Sequence, residues 1–326
     1  MMNQVSKETF NEILNGKETV AISGHIRPDG DCVGSSMGLY LYLKEQYHLK
    51  ELDVYLESIP DSFYMIQGTD EIKHEIPSKK QYDLFICLDC GDAGRLGFSA
   101  ELFEQAKSTL CVDHHISNRT FAEYNYIVPD ASSTSELVYN LMETEHITKE
   151  IAEALYMGIA HDTGVFQYSC TAPSTMIAAA ELLRKGIDAN KITDKTYYEK
   201  TYTQNQILGK ALLESMMLLN KKCIASVVTL KDLEFFEANA KDLEGIVSQL
   251  RNTKDVEVAI FLYELEPKEY KVSLRSNGKV DVSKVSQYFG GGGHVRAAGC
   301  TLKGNYYDIL NNLVHQISLQ LDEKEN

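Results

Sequence analysis

Short apolar runs that end in polar residues recur along the first half of the chain. The clearest covers residues 109–112 and leads directly into Asp113, His114 and His115. A run of this kind predicts a buried strand that ends in potential ligands. Residues 18–24 and 83–88 follow the same pattern, and residues 52–56 are also typical of a strand. Open α/β sheets place their chemistry beyond the carboxyl ends of their strands, so these strand ends are candidate functional positions.

Segments with helical periodicity separate the predicted strands. Ser6 and Gly16 are typical of the cap and the end of a short helix, and helical patterns also follow residue 31 and cover residues 151–160 and 173–185. Residues 133–136 have the form of a capping box that opens a helix ending near residue 141. An alternative for Ser133 or Thr134 is contact with a substrate phosphate.

The pattern changes in the last third of the chain. Residues 188–219 remain helical, and strands and helices then alternate differently, which indicates a separate domain. Strands are predicted over residues 223–228, 256–262 and 270–274, with helices around residues 242–250 and 306–319. We therefore predict an α/β protein in three parts: a parallel-sheet domain with helices on both faces (1–187), a helical connector (188–219) and a smaller mixed α/β domain (220–326).

Length and composition fit this division. About 150 residues per domain predicts two domains for 326 residues, and 44% hydrophobic residues are enough for sizeable cores. The first residues lack the features of a signal peptide, and no run of about 18 apolar residues occurs. We therefore expect a soluble, cytoplasmic protein without a membrane anchor.

The seven cysteines are scattered and odd in number, which predicts reduced thiols rather than a disulfide framework. Cys87 and Cys90 match the CxxC spacing of redox or zinc sites. A second pair and a thioredoxin-like context are missing from the sequence, so we interpret them as packing residues around Asp89.

The net charge is −15, and almost all of the acidic excess lies in residues 1–219. Such a surface disfavours tight binding of long duplex nucleic acid, which requires many Lys and Arg contacts to phosphate. Acidic clusters that hold divalent cations fit better, although solvated helix faces account for most of the excess.

Candidate metal ligands follow several predicted strands and helices. Three of them lie on a tight loop around Pro28 and Gly30. A carboxylate at a helix end, as at residue 162, destabilises the helix unless a cation compensates. The neighbouring His161 is interpreted as incidental. The proposed set is His25, Asp29, Asp31, Asp89, His114 and Asp162. Imidazole with carboxylate favours manganese, zinc or cobalt, and six ligands are too many for one ion, which predicts a carboxylate-bridged pair suited to phosphoester hydrolysis.

The C-terminal domain contains a run of four glycines, residues 290–293, followed by His294. Glycines let backbone N–H groups approach an anion closely, and a flexible loop is the alternative explanation. Arg275, at the end of a predicted strand, is a second candidate for holding a phosphate or carboxylate.

Five motifs in order, HxRPDGD, LDCGDxxRLG, DHH, HDTG and GGGH, resemble the DHH phosphoesterase family with its DHH-associated C-terminal domain. The resemblance covers nearly the whole chain and is closest to the nanoRNase/pAp phosphatase type. It implies hydrolysis of short oligoribonucleotides to nucleoside monophosphates, of 3′-phosphoadenosine 5′-phosphate (pAp) to AMP, or of both. Linear or cyclic di-adenylate is the alternative substrate. A manganese-dependent inorganic pyrophosphatase and a non-catalytic nucleotide-binding module are weaker alternatives.

The resemblance also implies a role for each site residue. His25, Asp29 and Asp89 would bind one ion, and Asp31, Asp89, His114 and Asp162 the other, most simply two Mn²⁺ bridged by Asp89. Asp113 would orient a ligand imidazole, and His115 would contact the scissile phosphate. The implied catalytic residues are Asp89, Asp113, His114 and His115. The nucleotide would be held by Arg275, Gly291, Gly292, Gly293 and His294. The site is expected in a cleft between the domains, and the sequence leaves open a monomer or a homodimer.

Overall fold

The chain divides into two compact units between Glu199 and Lys200 in a computed structural model that describes residues 5–76 and 80–322. The division falls inside the segment predicted as a connector. The predicted domain limits at residues 187, 188, 219 and 220 stay predictions, and residues 1–4 and 323–326 of the predicted domains lie outside the described part.

The first unit is built on a five-stranded parallel sheet, in the order β2-β1-β3-β4-β5. Its strands are β1 (Thr19–Ser23), β2 (Glu51–Tyr55), β3 (Leu84–Leu88), β4 (Thr109–Asp113) and β5 (Tyr124–Ile127). The four strands predicted from the sequence are present. The sequence analysis missed β5, an edge strand that is only half-buried along its length and therefore lacks an apolar run.

Helices cover both faces of this sheet, which confirms the predicted α/β class. The helices of the unit are α1 (Lys7–Leu14), α2 (Gly30–Gln46), α3 (Ala100–Gln105), α4 (Thr134–Leu141), α5 (Lys149–Asp162), α6 (Pro173–Arg184) and α7 (Ala189–Thr193). The large core on one face takes in residues of α1, α2, α4, α5 and α6. A smaller core on the other face includes Phe85 and Leu102 of α3.

The second unit has a six-stranded mixed sheet, in the order β10-β11-β9-β8-β7-β6. Its strands are β6 (Met216–Leu218), β7 (Cys223–Val228), β8 (Val258–Glu266), β9 (Glu269–Ser276), β10 (Gly292–His294) and β11 (Ala297–Lys303). Its helices are α8 (Tyr202–Leu213), α9 (Leu230–Phe235), α10 (Ile246–Arg251), α11 (Val282–Tyr288) and α12 (Tyr306–Asp322). Two hydrophobic cores form on opposite faces of this sheet, one with α11 and α12 and the other with α8 and α10.

The secondary structure of two segments differs from the prediction. The segment 188–219 is not helical throughout, because residues 216–218 form β6, paired antiparallel with β7. Three residues are too few to show a strand period, so the pairing rather than the local pattern decides. The loop after β1 is also shorter than predicted: Gly30 already starts α2, because the Asp29 side chain accepts hydrogen bonds from two backbone N–H groups of its first turn, both at 3.1 Å.

Among the described residues, the helices are all too short or too polar to cross a lipid bilayer.

Candidate metal centre

The three interior strands of the first sheet all end in polar residues on the same edge. His25 follows β1, Asp89 follows β3, and β4 ends at Asp113, which precedes His114 and His115. The amino end of α2 adds Asp29 and Asp31, and the carboxyl end of α5 adds Asp162. The fold therefore gathers all six predicted metal ligands from four separate stretches of the chain.

Asp89 is the residue that these groups share. Its backbone has a φ of 54°, a left-handed conformation that aspartate adopts more readily than most residues, and its N–H donates to the Val112 carbonyl of β4 at 3.1 Å. One carboxylate oxygen, Oδ2, lies 3.4 Å from His25 Nε2, and Oδ1 lies 3.6 Å from His114 Nε2. Asp89 is 2% exposed, so its carboxylate is directed into the cluster.

The potential ligand atoms form three groups in which all atoms lie within 4.8 Å of one another. These groups are His25 with Asp29 and Asp89, Asp31 with His114 and Asp162, and Asp89 with His114 and His115. The first group is the predicted ligand set of one ion. The second lacks the Asp89 predicted for it; Asp89 instead joins His114 in the third group. Nitrogen and carboxylate donors at this density suit borderline divalent metals such as Mn²⁺.

The two imidazoles of the predicted ligand set are held in one orientation by the backbone. His25 Nδ1 lies 2.8 Å from the Ile26 carbonyl oxygen, and His114 Nδ1 lies 3.3 Å from the Ala131 carbonyl oxygen. In a neutral ring the Nδ1–H is then the donor, which leaves the lone pair of Nε2 for a metal ion. In both residues Nε2 is the nitrogen that faces the carboxylates.

Asp113 orients a different ring from the one predicted. Its fully buried carboxylate accepts a hydrogen bond from His115 Nδ1 at 2.7 Å, and not from either predicted ligand imidazole. Its other oxygen accepts from Asn118 Nδ2 at 2.7 Å. Burial favours the neutral acid, but the bonds to His115 and Asn118 outweigh it and lower the pKa of Asp113. The sequence analysis missed Asn118, because an asparagine in a turn carries no distinctive signal.

Burial and the charges of the neighbouring carboxylates shift the pKa values of the residues in the centre. Burial, followed by the charges of Asp89 and Asp162, raises the pKa of Asp31, and burial raises that of Asp162 to about 6. Burial opposes charge on the histidines, but the neighbouring carboxylates outweigh it and raise the pKa of His25 and of His114 to about 10. These directions show that the clustered carboxylates favour positive charge at their centre, which a divalent cation would supply.

The predicted capping box at the start of α4 is half present. The Ser133 side chain accepts from the Glu136 N–H at 3.0 Å, as predicted. The Glu136 carboxylate, however, accepts from the Ser132 N–H and hydroxyl, at 3.2 and 2.6 Å, instead of from the Ser133 N–H. The first N–H groups of α4, those of Thr134 and Ser135, donate to the Asp31 carboxylate.

His161 lies outside the three groups but is not an isolated side chain. A Cβ added to Gly30 would lie 2.1 Å from its ring, so His161 packs directly on the backbone between Asp29 and Asp31. Its Nε2 lies 3.0 Å from Thr196 Oγ1. His161 thus fills space that a side chain at position 30 would need, and its interpretation as incidental to metal binding stays a prediction.

Cys87 and Cys90 are fully buried in the smaller core of the first unit, together with Cys111. Burial raises the pKa of the Cys87 thiol well above its usual value. All seven cysteines are free thiols. These properties agree with the interpretation of Cys87 and Cys90 as packing residues, because a reactive thiol needs a low pKa and solvent access.

The glycine run in the second unit is more ordered than a flexible loop. Gly290, with a φ of 77°, donates to the Gln287 carbonyl at 3.0 Å, and Gly291 donates to the Ser286 carbonyl at 2.9 Å, which together form a Schellman end to α11. These two N–H groups are therefore not available to an anion, contrary to the prediction. The next residues, Gly292–His294, form the edge strand β10.

Arg275 and His294 lie on the same face of the second sheet. Ala297 pairs with His294 of β10 on one side and with Arg275 of β9 on the other, and directly paired residues of antiparallel strands share a face. Two strand spacings separate Arg275 from His294, about 10 Å. The same face carries Lys271, paired with Thr301, and the small residues Ser273 and Gly299. The sequence analysis did not single out Lys271, although it lies four positions before Arg275 on the same strand and therefore shares its face.

Both units match known families. The family model described as "DHH family, N-terminal domain" matches residues 19–159, and the DHHA1 domain model matches residues 220–321. A curated relative from Thermus thermophilus, named bifunctional oligoribonuclease and PAP phosphatase NrnA, is 30% identical over 301 residues, covering 90% of this chain and 87% of its own. The Bacillus subtilis protein of the same name is 27% identical over 292 residues, covering 87% and 90%.

A solved structure agrees over almost the entire length. The exopolyphosphatase-related protein from Bacteroides fragilis has a TM-score of 0.89 and 26% sequence identity to this chain. The match covers 98% of this chain and 97% of that protein. The combination of the two units is therefore shared with a protein of known structure.

Proposed function

The chain belongs to the DHH phosphoesterase family, and from this premise we propose that it hydrolyses the phosphoester bonds of short oligoribonucleotides and of pAp. The names of the Thermus and Bacillus relatives support this substrate class. The acidic first unit also supports it, since few basic side chains are available there for the phosphates of a long strand.

We further propose that two Mn²⁺ ions bind at the candidate centre. His25, Asp29 and Asp89 would hold one ion, and Asp31, His114 and Asp162 would hold the other, with Asp89 shared. When bound, such ions lower the pKa of water and offset negative charge on phosphate oxygens. The proposal requires no side-chain nucleophile.

The protein groups then bind and orient the substrate. His115, fixed through Asp113 and Asn118, would contact the scissile phosphate through its Nε2, since its Nδ1 is engaged by Asp113. In the second unit, the charged face that carries Arg275 and His294 would bind the remaining phosphate and the nucleotide. A Cβ added to Gly292 of β10 would meet nothing within 4 Å, so this glycine leaves room for a ligand to approach the backbone.

The observation that carries the proposal is the position of Asp89 between two histidines from different strands. Its two oxygens face His25 and His114 separately, at 3.4 and 3.6 Å. A carboxylate with one oxygen toward each of two nitrogen donors could contribute to the binding of two neighbouring ions.

A parallel activity assay with Mn²⁺ tests the proposal. The substrates are pAp, the dinucleotide 5′-pApA and a 24-residue oligoribonucleotide. We expect release of phosphate from pAp and of AMP from the dinucleotide, with little turnover of the long strand. Equal rates on the long strand would contradict the short-substrate proposal, and inactivity on all three would contradict the proposed function.

A further inference from the structure

We propose that the amino end of α4 is a positioning device for the metal centre, in which Thr134 fixes both Asp31 and Asp89. This inference rests on the proposed metal centre and adds residues from outside the predicted ligand set. Thr134 contacts protein carboxylates rather than substrate, so it is a positioning residue and not a catalytic one.

The backbone of α4 holds the Asp31 carboxylate by both oxygens. The Thr134 N–H donates to Oδ2 at 2.6 Å, and the Ser135 N–H donates to Oδ1 at 2.9 Å. These N–H groups belong to the first turn of the helix and have no partner within it, so a carboxylate is a favourable acceptor there. Asp31 is 0% exposed, and the two bonds leave its carboxylate a single orientation.

The Thr134 side chain also binds the carboxylate of Asp89, which is shared between two of the ligand groups. Its hydroxyl donates to Asp89 Oδ1 at 3.2 Å, the oxygen that also faces His114. One residue therefore donates its N–H to a carboxylate of one ligand group and its hydroxyl to a carboxylate of another. A displacement of Thr134 would change the spacing between the two groups.

Close packing of α5 brings the α4 terminus to this position. A Cβ added to Gly158 of α5 would lie 1.9 Å from Ser135 Oγ and 2.9 Å from Asp31 Oδ1. The absence of a side chain at position 158 therefore allows Ser135 and Asp31 to meet. Substitution of Gly158 by a larger residue would separate them.

A second contact fixes the segment before α4. The buried Glu136 carboxylate accepts, at the same oxygen Oε2, from the Ser132 hydroxyl at 2.6 Å and from the Thr175 hydroxyl of α6 at 2.8 Å. The start of α4 is thereby attached to α6 as well as to Asp31. The N–H groups of Thr134 and Ser135 are thus engaged by a protein carboxylate, while contact of Ser133 or Thr134 with a substrate phosphate stays a prediction.

Proline substitution at position 134 tests the backbone contact. Proline is tolerated at the first residue of a helix, and the preceding residue, Ser133, has the extended conformation (φ −166°, ψ 160°) that proline requires before it. Thr134→Pro removes the N–H that binds Asp31 and the hydroxyl that binds Asp89. Thr134→Val removes the hydroxyl alone, and Thr134→Ser keeps both donors.

The matched control is Lys149→Pro, at the first residue of α5, where the preceding Thr148 is also extended. Binding of Mn²⁺ to each variant of the full-length protein is measured by calorimetry, and far-UV circular dichroism reports folding. We expect Thr134→Pro to weaken Mn²⁺ binding by about 10- to 100-fold, the range for residues that support metal ligands. Thr134→Val should weaken it less, and Thr134→Ser and Lys149→Pro should bind as the unmodified chain does.

Unchanged Mn²⁺ affinity in a folded Thr134→Pro variant would overturn the inference while leaving the proposed function intact. If that variant does not fold, equal affinities of Thr134→Val and Thr134→Ser would overturn it instead, and weaker binding by Thr134→Val would support it. Failure of the unmodified protein to bind Mn²⁺ would overturn the proposed metal centre, and with it this inference.

Discussion

The two units present their candidate functional groups in opposite ways. In the first, three parallel strands end side by side, and the side chains that follow them converge on one buried carboxylate, Asp89. In the second, a mostly antiparallel sheet offers a face with small residues and the longer side chains of Arg275 and His294. The first arrangement suits a reaction centre that needs fixed ligands, and the second suits binding of an extended, charged ligand.

The largest effect should come from Asp89→Ala in the first unit. Loss of the shared carboxylate removes a ligand from both proposed ions, so activity should fall by more than the about 10²- to 10³-fold that loss of a single stabilising donor costs. Hydrolysis of 5′-pApA with Mn²⁺ measures it, and circular dichroism confirms the fold. The control is Asp92→Ala in the same turn, which lies outside the three ligand groups and should retain activity. A largely active Asp89→Ala variant would refute the shared-ligand role.

Arg275→Ala should reduce activity by an intermediate amount, and it should act on KM rather than on kcat. Loss of a charge-assisted contact to phosphate costs about 1.5–3 kcal/mol, which corresponds to roughly 10- to 100-fold in KM, while kcat changes little. Steady-state kinetics with pAp separate the two constants. Lys271→Ala, on the same face, should raise KM less. A fall in kcat at unchanged KM would place Arg275 in the reaction centre rather than in binding and would weaken the contrast between the units.

Metal binding in the first unit should depend on pH. A histidine whose pKa is about 10 is protonated at pH 7.5, and a metal ion binds only the neutral ring, so binding to His25 and His114 should release about two protons. Apparent Mn²⁺ affinity should therefore rise with pH, by about tenfold per pH unit for each proton released. Calorimetry in buffers with different ionisation enthalpies counts the protons. A binding enthalpy that does not vary with the buffer would contradict this charge assignment.

Gly292→Ala should have the smallest effect. A Cβ at this position meets nothing within 4 Å, so the fold should tolerate it, but the methyl group would occupy space beside β10 that we assign to substrate. We expect KM to rise by a few-fold at an unchanged melting temperature. Gly209→Ala in α8 is the matched control, since its Cβ also meets nothing within 4 Å. Identical kinetics of the two variants would remove Gly292 from the proposed binding face.

The contrast between the units also explains which features the sequence could predict. The candidate ligands of the first unit follow apolar strands, so residue type and position were enough to predict that His25, Asp89 and His114 lie close together. Thr134 and Ser135 were missed as positioning residues because their contacts to Asp31 come from the backbone, more than 100 positions away in sequence. Such contacts depend on helix packing and leave no signature in residue type.

The second unit was harder to predict for a related reason. Four consecutive glycines indicate close backbone approach, but not what approaches. In the structure, a Cβ at Gly291 would lie 2.3 Å from the Gly299 carbonyl oxygen, and one at Gly293 would lie 2.5 Å from the Ala297 carbonyl oxygen. These glycines are required by the neighbouring strand β11, whether or not a ligand also binds. Strand register, which places His294 on the same face as Arg275, is likewise set by tertiary pairing.

Anomalous diffraction from crystals grown with Mn²⁺ tests the central claim most directly. The account predicts two manganese peaks in each chain, one beside His25 and Asp29, the other beside Asp31, His114 and Asp162, with Asp89 in contact with both. A single peak would contradict it, and so would two peaks if Asp89 did not coordinate both ions.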